Sequence, residues 1–435
     1  MSLEIIPIGG FGEIGRNCAA LKVDDEILIF DMGLQMENYI AHTDTDDIVD
    51  MSPSTLIETE SVPNIDKIDT SKVVGICISH AHLDHLGATV FLGNKFDCPI
   101  YGSPFTVEVL HKIIRDEKIN FKNKIKKKKT NSRFRVSDNI EVEFINVTHS
   151  TPHTVLIAAH TKYGTVLYAN DYKLDQHPTL GQKTNIKRLK KMDVKALIVD
   201  CLYSTTASKT PSEFVAKQIL KEILLEEDTK GKNVFVTTFA SHIARLNSIK
   251  KMGQKMGRKV VFMGRSLAKY TRAAENAKAA KFKDVQLVKY SSNIKSFLNN
   301  LDDTSKYLFV VTGHQGEPKA ALSRIIDGNY FPFKHGDFIV FSCTTIPVPL
   351  AEKNREVLEK KLYSKNLRVF KDAHVSGHAF KEDQRDFFNI VKPKHIIPVH
   401  GDKPRMEAMK KLALEEGYSE EKIHLLTNKD DIRVE

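Results

Sequence analysis

His80-Ala81-His82-Leu83-Asp84-His85 stands directly after Ser79 and the apolar run Val73-Val74-Gly75-Ile76-Cys77-Ile78. The run reads as a buried strand, and the six residues behind it offer four side chains that metals accept. Histidines at i and i+2 leave a strand on the same face, and an Asp-His step in the following turn can feed a second, adjacent ion. Neutral imidazole and carboxylate are the ligands zinc takes, so the stretch carries the signature of a metal-dependent hydrolase. Three histidines and an aspartate left unpaired behind a buried strand would be costly, which weighs against a chance surface cluster.

Two ions need more than four ligands, and further candidates close other apolar runs. His149 follows Glu141 to Val147, Asp171 follows Thr165 to Asn170, and His400 follows Ile396-Ile397-Pro398-Val399. A polar residue at the end of an apolar strand sits at the rim of the core, where side chains from separate strands converge. Singly each is an ordinary satisfied polar residue; the recurrence is what points to a site.

The chain has 435 residues, too many for one compact core, which implies two domains or one domain with a large insertion. Lysine and arginine outnumber aspartate and glutamate by 65 to 55, a net +10 that suits a polyanionic partner. The start, Met1-Ser2-Leu3-Glu4, lacks a basic segment followed by an apolar one, and no apolar run reaches the roughly 20 residues a bilayer requires. A cytoplasmic protein without membrane association is expected. Cys18, Cys77, Cys98, Cys201 and Cys343 are scattered and odd in number, with no CxxC pair, and read as reduced, buried thiols.

Short apolar runs separated by glycine turns fill the first third, at Leu3 to Ile8, Ala19 to Val23 and Ile27 to Phe30, as in a mixed or antiparallel sheet. From Ala196 the texture becomes βαβ. Ala196 to Asp200 reads as a buried strand, Thr210-Pro211-Ser212-Glu213 as a capping box opening a helix to about Glu226, and strands follow at Val234, Val260, Leu308 and Phe338. After Pro349 the earlier pattern returns. The expected domains are residues 1–195 and 351–435 as two parts of one domain, with 196–350 inserted as a parallel α/β block. Lys122 to Lys129 reads as a solvated, mobile surface loop, with an RNA contact as the other reading.

Taken together, His80-x-His82-x-Asp84-His85, His149, Asp171 and the early Asp31 resemble the motif set of the metallo-β-lactamase superfamily. Asp200, His378 in Ser376-Gly377-His378-Ala379 and His400 in Pro398-Val399-His400-Gly401 resemble the three added motifs of the β-CASP nucleases. Gly9-Gly10-Phe11-Gly12-Glu13-Ile14-Gly15 and Gly313-His314-Gln315-Gly316-Glu317-Pro318 narrow the likeness to the RNase J family. The resemblance spans nearly the whole chain. It implies an α/β fold, a metallo-β-lactamase αββα sandwich interrupted by a β-CASP domain with a mostly parallel sheet.

For the site, the resemblance implies two Zn2+ per chain, one held by His80, His82 and His149, the other by Asp84, His85 and His400, with Asp171 bridging. Mn2+ would suit the same ligands. His378 is implied at the scissile phosphate, Asp84 and Asp171 as orienting the nucleophile, and Asp31 and Asp200 as hydrogen-bonding supports. The activity implied is 5′-to-3′ exonucleolytic hydrolysis of single-stranded RNA with a 5′-monophosphate, together with endonuclease activity. A terminal phosphate could be gripped by Ser241, His374, Ser376, Gly377 and His378, since Ser241 opens a helix whose free N–H groups favour an anion. A homodimer through the metal domain is expected by analogy, and the chain stops without the additional C-terminal domain of bacterial members.

Gly10-x-Gly12-x-x-Gly15 imitates a dinucleotide fingerprint, but Arg16 to Leu21 continues as a strand and not a helix, so a tight turn beside the metal site is expected. A small-molecule thioesterase or lactonase of the same fold would not need a second α/β block. A DNA-directed relative would carry valine where His400 stands. A non-catalytic RNA-binding relative would have lost ligands, and all seven candidates are present.

Overall fold

The computed structural model describes residues 2–43, 51–346 and 349–434. The chain folds into two compact units: Met1–Gln176 with Gly181–Thr210 and Ser376–Glu435, and His177–Leu180 with Pro211–Val375. In chain order the strands are β1 (Leu3–Gly9), β2 (Cys18–Val23), β3 (Glu26–Phe30), β4 (Val73–Ile78), β5 (Ile100–Gly102), β6 (Ile125–Lys127), β7 (Ser132–Arg135), β8 (Glu141–Asn146), β9 (Val155–Thr161), β10 (Gly164–Ala169) and β11 (Val194–Asp200). They continue as β12 (Val234–Thr237), β13 (Lys259–Met263), β14 (Gln286–Val288), β15 (Tyr307–Val311), β16 (Phe338–Phe341), β17 (Arg368–Phe370), β18 (His395–Val399) and β19 (Ile432–Arg433).

The first unit is the expected αββα sandwich. One sheet runs β19-β1-β2-β3-β4-β5-β6 and the other β18-β11-β10-β9-β8-β7. Each strand alternates its side chains, so one face of each sheet is free to meet the other sheet. Leu21, Phe30 and Tyr101 from the first sheet pack with Phe144, Ile157 and Tyr168 from the second, and Phe30 stacks on Tyr168 at 5.2 Å. Truncating such a ring costs about 3–5 kcal/mol. The outer face of the second sheet is covered by the helices Lys381–Val391 and Lys403–Glu415, through Phe387, Phe388, Met406 and Met409.

Parallel pairing fixes which strand ends share an edge. β10, β11 and β18 pair in parallel, and β8 runs the same way because it is antiparallel to β9, which is antiparallel to β10. The residues following β8, β10, β11 and β18 therefore emerge at one rim. In the other sheet β3, β4, β5 and β6 are mutually parallel, so Asp31 and Ser79 also leave side by side.

The second unit holds an all-parallel sheet in the order β14-β13-β15-β12-β16-β17. Its central strands β12, β15 and β16 are buried on both faces and read as continuous apolar runs, as parallel strands do.

The units divide at other positions than the sequence suggests. β11 pairs with β10 and β18, and the helix Pro349–Ser364 and β17 belong to the second unit, so the inserted block begins at Pro211 and ends at Val375 rather than spanning 196–350. Thr210 is not the helix cap: Ser212 caps Glu213–Lys221 through Phe214 N–H, and a π-helical turn carries on over Glu222–Glu226. Thr210 instead donates from Oγ1 to the His378 carbonyl at 2.8 Å. The lysine run is not a loop throughout, since Ile125–Lys127 pairs with β5 as an edge strand. Its alternate residues lay aliphatic stems on rings, with Lys126 5.4 Å from the centre of Tyr101 and Lys128 4.5 Å from that of Phe134.

Candidate metal centre

β4 ends at Ile78 and Ser79 turns the chain, donating from its N–H and its hydroxyl to the two oxygens of Asp31 at 2.6 and 2.7 Å. His82 occupies the cap of the short helix Leu83–Leu86, which swings Asp84 and His85 to the same side as His80. His149, Asp171 and His400 arrive from the rim of the opposing sheet. Asp31, Asp171 and His400 all adopt left-handed backbone, with φ of 58, 57 and 60°. Each residue turns the chain sharply as it leaves its strand.

The side chains form two adjoining groups. In the first, His80 Nε2 and His149 Nε2 stand 3.0 and 3.2 Å from His82 Nδ1. Asp171 Oδ2 lies 3.4 Å from His80 Nε2 and 3.5 Å from His149 Nε2. In the second, Asp171 Oδ1 is 3.1 Å from His85 Nε2, and Asp84 Oδ2 is 3.6 Å from the same atom and 3.8 Å from His400 Nε2. One carboxylate thus gives an oxygen to each group. His80, His85 and Asp171 are sealed, whereas the side chains of His82, Asp84 and His378 retain 22, 24 and 16 % exposure, so these three mark the open side.

Hydrogen bonds set the tautomers. His85 Nδ1–H donates to Asp31 Oδ2 at 2.7 Å, His149 Nδ1–H donates to the Gly377 carbonyl at 2.8 Å, and His80 Nδ1–H donates to Ser79 Oγ at 3.0 Å. In its neutral form each ring leaves its Nε2 lone pair facing the cluster. His82 is reversed: its Nε2 meets Ser150 Oγ at 3.2 Å and Nδ1 points inward. His400 departs from this pattern. Its Nδ1 accepts from Gly15 N–H at 3.1 Å rather than donating to an oxygen.

Burial, then the neighbouring His85, pushes the His80 pKa down to about 3, and burial likewise holds His149 well below the ordinary value. Both rings are neutral. Burial also opposes charge on His85, but Asp171, Asp84 and Asp31 outweigh it and raise its pKa well above the usual range. The same contest at His378, decided by Asp171 and Asp200, brings it up to about 9. Burial raises Asp171, yet His85, His378 and His400 pull it well below the carboxylate range. The carboxylates here draw cations, and protons on His85 and His378 fill that role in the metal-free chain.

His378 hydrogen-bonds through Nδ1 to Asp200 Oδ2 at 2.7 Å, and its Nε2 is 3.8 Å from Asp171 Oδ2. Its backbone N–H donates to Ser376 Oγ at 3.0 Å, and Gly377 lies so close to His149 that a Cβ there would stand 3.0 Å from the ring. In the other unit, Ser241 precedes the helix Ile243–Lys255, whose cap is His242. Ser241 therefore lies one residue before the cap. His374 Nδ1 is 3.4 Å from Nη1 of the wholly buried Arg245, which pairs bidentately with Glu213.

Sequence reasoning missed Asn17 and Asn170, both fully buried. Asn17 Nδ2 lies 3.0 Å from His85 Nε2 and 3.1 Å from His400 Nδ1, and its Oδ1 accepts from Asn170 Nδ2 at 2.9 Å. The signal was the glycine loop before Asn17, which closes on His400: Gly10 O accepts from His400 N–H at 2.7 Å. That stretch is the expected tight turn, with Gly10, Gly12 and Gly15 all at positive φ.

The donors present fit divalent cations. His80, His82, His149 and Asp171 bring one ligand atom each within 4.8 Å of one another, as do Asp84, His85 and His400. Asp171 Oδ1 is buried and faces only the imidazole nitrogens of His85 at 3.1 Å and His400 at 3.9 Å, an acceptor that a cation between them would satisfy.

Three family models match the chain: a beta-lactamase superfamily domain at residues 48–206, a Ribonuclease J beta-CASP domain at 231–358, and a Zn-dependent metallo-hydrolase RNA specificity domain at 363–426. The chain is 40% identical to Ribonuclease J of Methanocaldococcus jannaschii over 98% of each protein. It is 38% identical to Ribonuclease J of Pyrococcus abyssi over 96% of this chain and 93% of that one. A crystal structure of a protein of unknown function from Enterococcus faecalis shares the fold, with a TM-score of 0.69 at 18% identity and full coverage of both chains.

Proposed function

This chain belongs to the ribonuclease J family, and from that premise we propose that it degrades single-stranded RNA 5′ to 3′ from a 5′-monophosphate end, with endonuclease activity besides, using two zinc ions. Membership makes it a metallo-hydrolase acting on RNA. The observation that carries the finer reading is the Asp171 carboxylate, whose oxygens are divided between two histidine groups.

His80, His82 and His149 would hold one cation, Asp84, His85 and His400 the other, and Asp171 both. Bound there, such ions supply an activated water near neutral pH and neutralise charge on a phosphoryl group. Asp84, on the open side, accepts a hydrogen bond from the attacking nucleophile. His378, steadied at Nδ1 by Asp200, presents Nε2 to the scissile phosphate and donates a proton to the leaving 3′-oxygen. The short polar side chain of Ser376 and the close-approaching backbone of Gly377, beside His378, support a role for them in gripping the terminal phosphate.

The same reading includes Mn2+ as a substitute ion, a homodimer through the metallo-β-lactamase unit, and a cytoplasmic setting. That setting agrees with five free, buried cysteines, and no described helix is long and apolar enough to cross a membrane. Uniformly labelled RNA carrying a 5′-monophosphate or a 5′-triphosphate, with a matched DNA, incubated with and without chelator, tests the activity. Mononucleotide release from the monophosphate RNA alone, abolished by chelator and restored by zinc or manganese, is expected. Equal degradation of DNA or of the triphosphate RNA would reject the substrate assignment, and light scattering checks the dimer.

A further inference from the structure

The second edge of the first sheet carries a charge distribution that the active site does not use. From Lys118 to Ser137 the chain has nine lysines and arginines and no aspartate or glutamate. Lys122, Lys124, Lys126 and Lys129 are exposed. Among the described residues they form no ion pair, while Lys127 pairs with Glu108 at 2.6 Å and Arg133 with Glu141 at 2.5 Å. Repulsion within such a stretch is tolerated because the backbone is held: β6 pairs with β5, and Lys128 N–H donates to the Gly102 carbonyl at 2.9 Å.

Strand register ties this edge to the metal centre. Ile78, two residues before His80, is level with Gly102 of β5, and Gly102 is level with Lys127 of β6. Strands lie about 4.8 Å apart, so the end of β6 stands about 10 Å along the sheet from the end of β4. The lysines after it leave at the same rim as the histidine motif.

We propose that residues 118–129, β6 and its flanks, form a second RNA-docking surface, which holds the phosphate backbone of substrate lying beyond the nucleotides in the active site. A fixed row of unpaired ammonium groups complements a polyanion, reads no base edges and works by releasing counterions. Edge lysines also discourage strand-to-strand aggregation, but that requires one or two charges, not a run. The inference rests on RNA being the substrate and is independent of the direction of degradation.

The test is a variant with Lys122→Gln, Lys124→Gln, Lys126→Gln and Lys129→Gln, which spares Lys127, paired with Glu108, and Lys128, the more closely ring-seated of the two lysines over Tyr101 and Phe134. Salt dependence contributes about 0.7 per phosphate neutralised on a single strand, so the slope of log affinity against log salt for a long unstructured RNA should fall by about 3. KM for long RNA should rise with kcat unchanged, and turnover of an oligonucleotide short enough to fill only the active site should stay as it was. The four corresponding Lys→Arg substitutions should restore the slope, which separates charge from folding. An unchanged slope and KM in the glutamine variant would overturn the proposal. Loss of binding to anionic vesicles with RNA affinity intact would also overturn it, by assigning the face to a lipid surface. If short oligonucleotides are not hydrolysed even by the unaltered protein, it is the proposed activity that has failed, since the slope is read from binding alone.

Discussion

Replacing Asp31 by asparagine exchanges one oxygen for an NH2 and should disable a histidine that Asp31 itself only orients. The Asp31 carboxylate is wholly buried and accepts from Ser79 N–H, Ser79 Oγ–H and His85 Nδ1–H at 2.6, 2.7 and 2.7 Å. An amide can accept through one position only. The Ser79 backbone N–H cannot become an acceptor, so the amide oxygen must stay at Oδ1 and the NH2 must take the place of Oδ2. That sets donor against donor at His85, which is relieved when the ring gives up its Nδ1 proton and keeps the one on Nε2, the atom 3.1 Å from Asp171 Oδ1. Both charge-assisted hydrogen bonds that end on Oδ2, from His85 Nδ1–H and Ser79 Oγ–H, are lost, each worth about 1.5–3 kcal/mol of stability in the metal-free chain. Loss of such an outer partner costs metal affinity about 10–100-fold, or about 1.4–2.7 kcal/mol. Denaturation with chelator reads the first quantity, and the increment on adding zinc reads the second. Nitrogen NMR of His85 reports which ring atom carries the proton. Two tightly held equivalents of zinc with Nδ1–H retained would refute the orientation argument.

His378→Asn should lower single-turnover cleavage by about 100–1,000-fold while changing RNA affinity little, because the ring acts on developing charge; a loss confined to affinity would remove it from the chemistry. Gly377→Ala places a Cβ 3.0 Å from the His149 ring and 3.3 Å from Ser150 Cβ, so zinc stoichiometry measured by elemental analysis should fall, with overall stability changed by about 1–3 kcal/mol. Burial would raise Glu213, but Arg245 and His242 hold its pKa well below the ordinary 4.5. A depressed folded pKa contributes stability above 4.5 that is lost as pH falls through the lower, folded value. Glu213→Gln should therefore cost about 3–5 kcal/mol at neutral pH and flatten the acid limb of the stability profile measured by denaturant titration.

The parts of the site written as local spacing were legible. His80, His82, Asp84 and His85 lie within six residues after one strand, and the structure gathers them with His149, Asp171 and His400, each at the end of an apolar run. Supports recruited from a distance were not. Asn17 touches His85 and His400 from a loop that advertises only glycine, and nothing local distinguishes it from a turn asparagine. The inserted unit was misplaced for a related reason. β11 is a largely buried parallel strand, and so are the central strands of the inserted sheet, so its sequence cannot say which sheet it joins. The pairing with β18, nearly 200 residues later, decides it. At β6 the like charges argued for a loop, and the rings of Tyr101 and Phe134 beneath the lysines decided for a strand.

The rim shows why a metal site is built at this position of the fold. A strand that ends in ordinary extended backbone carries its next side chain onward, away from the neighbouring sheet. At Asp31, Asp171 and His400 the chain enters the left-handed region instead, which aspartate and histidine tolerate better than branched residues do. Each such residue costs about 1–2 kcal/mol, and each is pinned by groups that do not themselves face the cluster's interior. Asp31 N–H donates to the Cys77 carbonyl at 2.9 Å and His400 N–H to the Gly10 carbonyl at 2.7 Å, while Lys173 N–H, two residues beyond Asp171, donates to the Thr148 carbonyl beside His149 at 2.9 Å. The strain is thus held by hydrogen bonds within both sheets, and the ligand atoms lie within hydrogen-bonding or ion-pair distance of one another. A cation entering this cluster meets a set of donors whose ordering has been compensated by the packing of the sandwich, which is the condition for tight binding from short polar side chains.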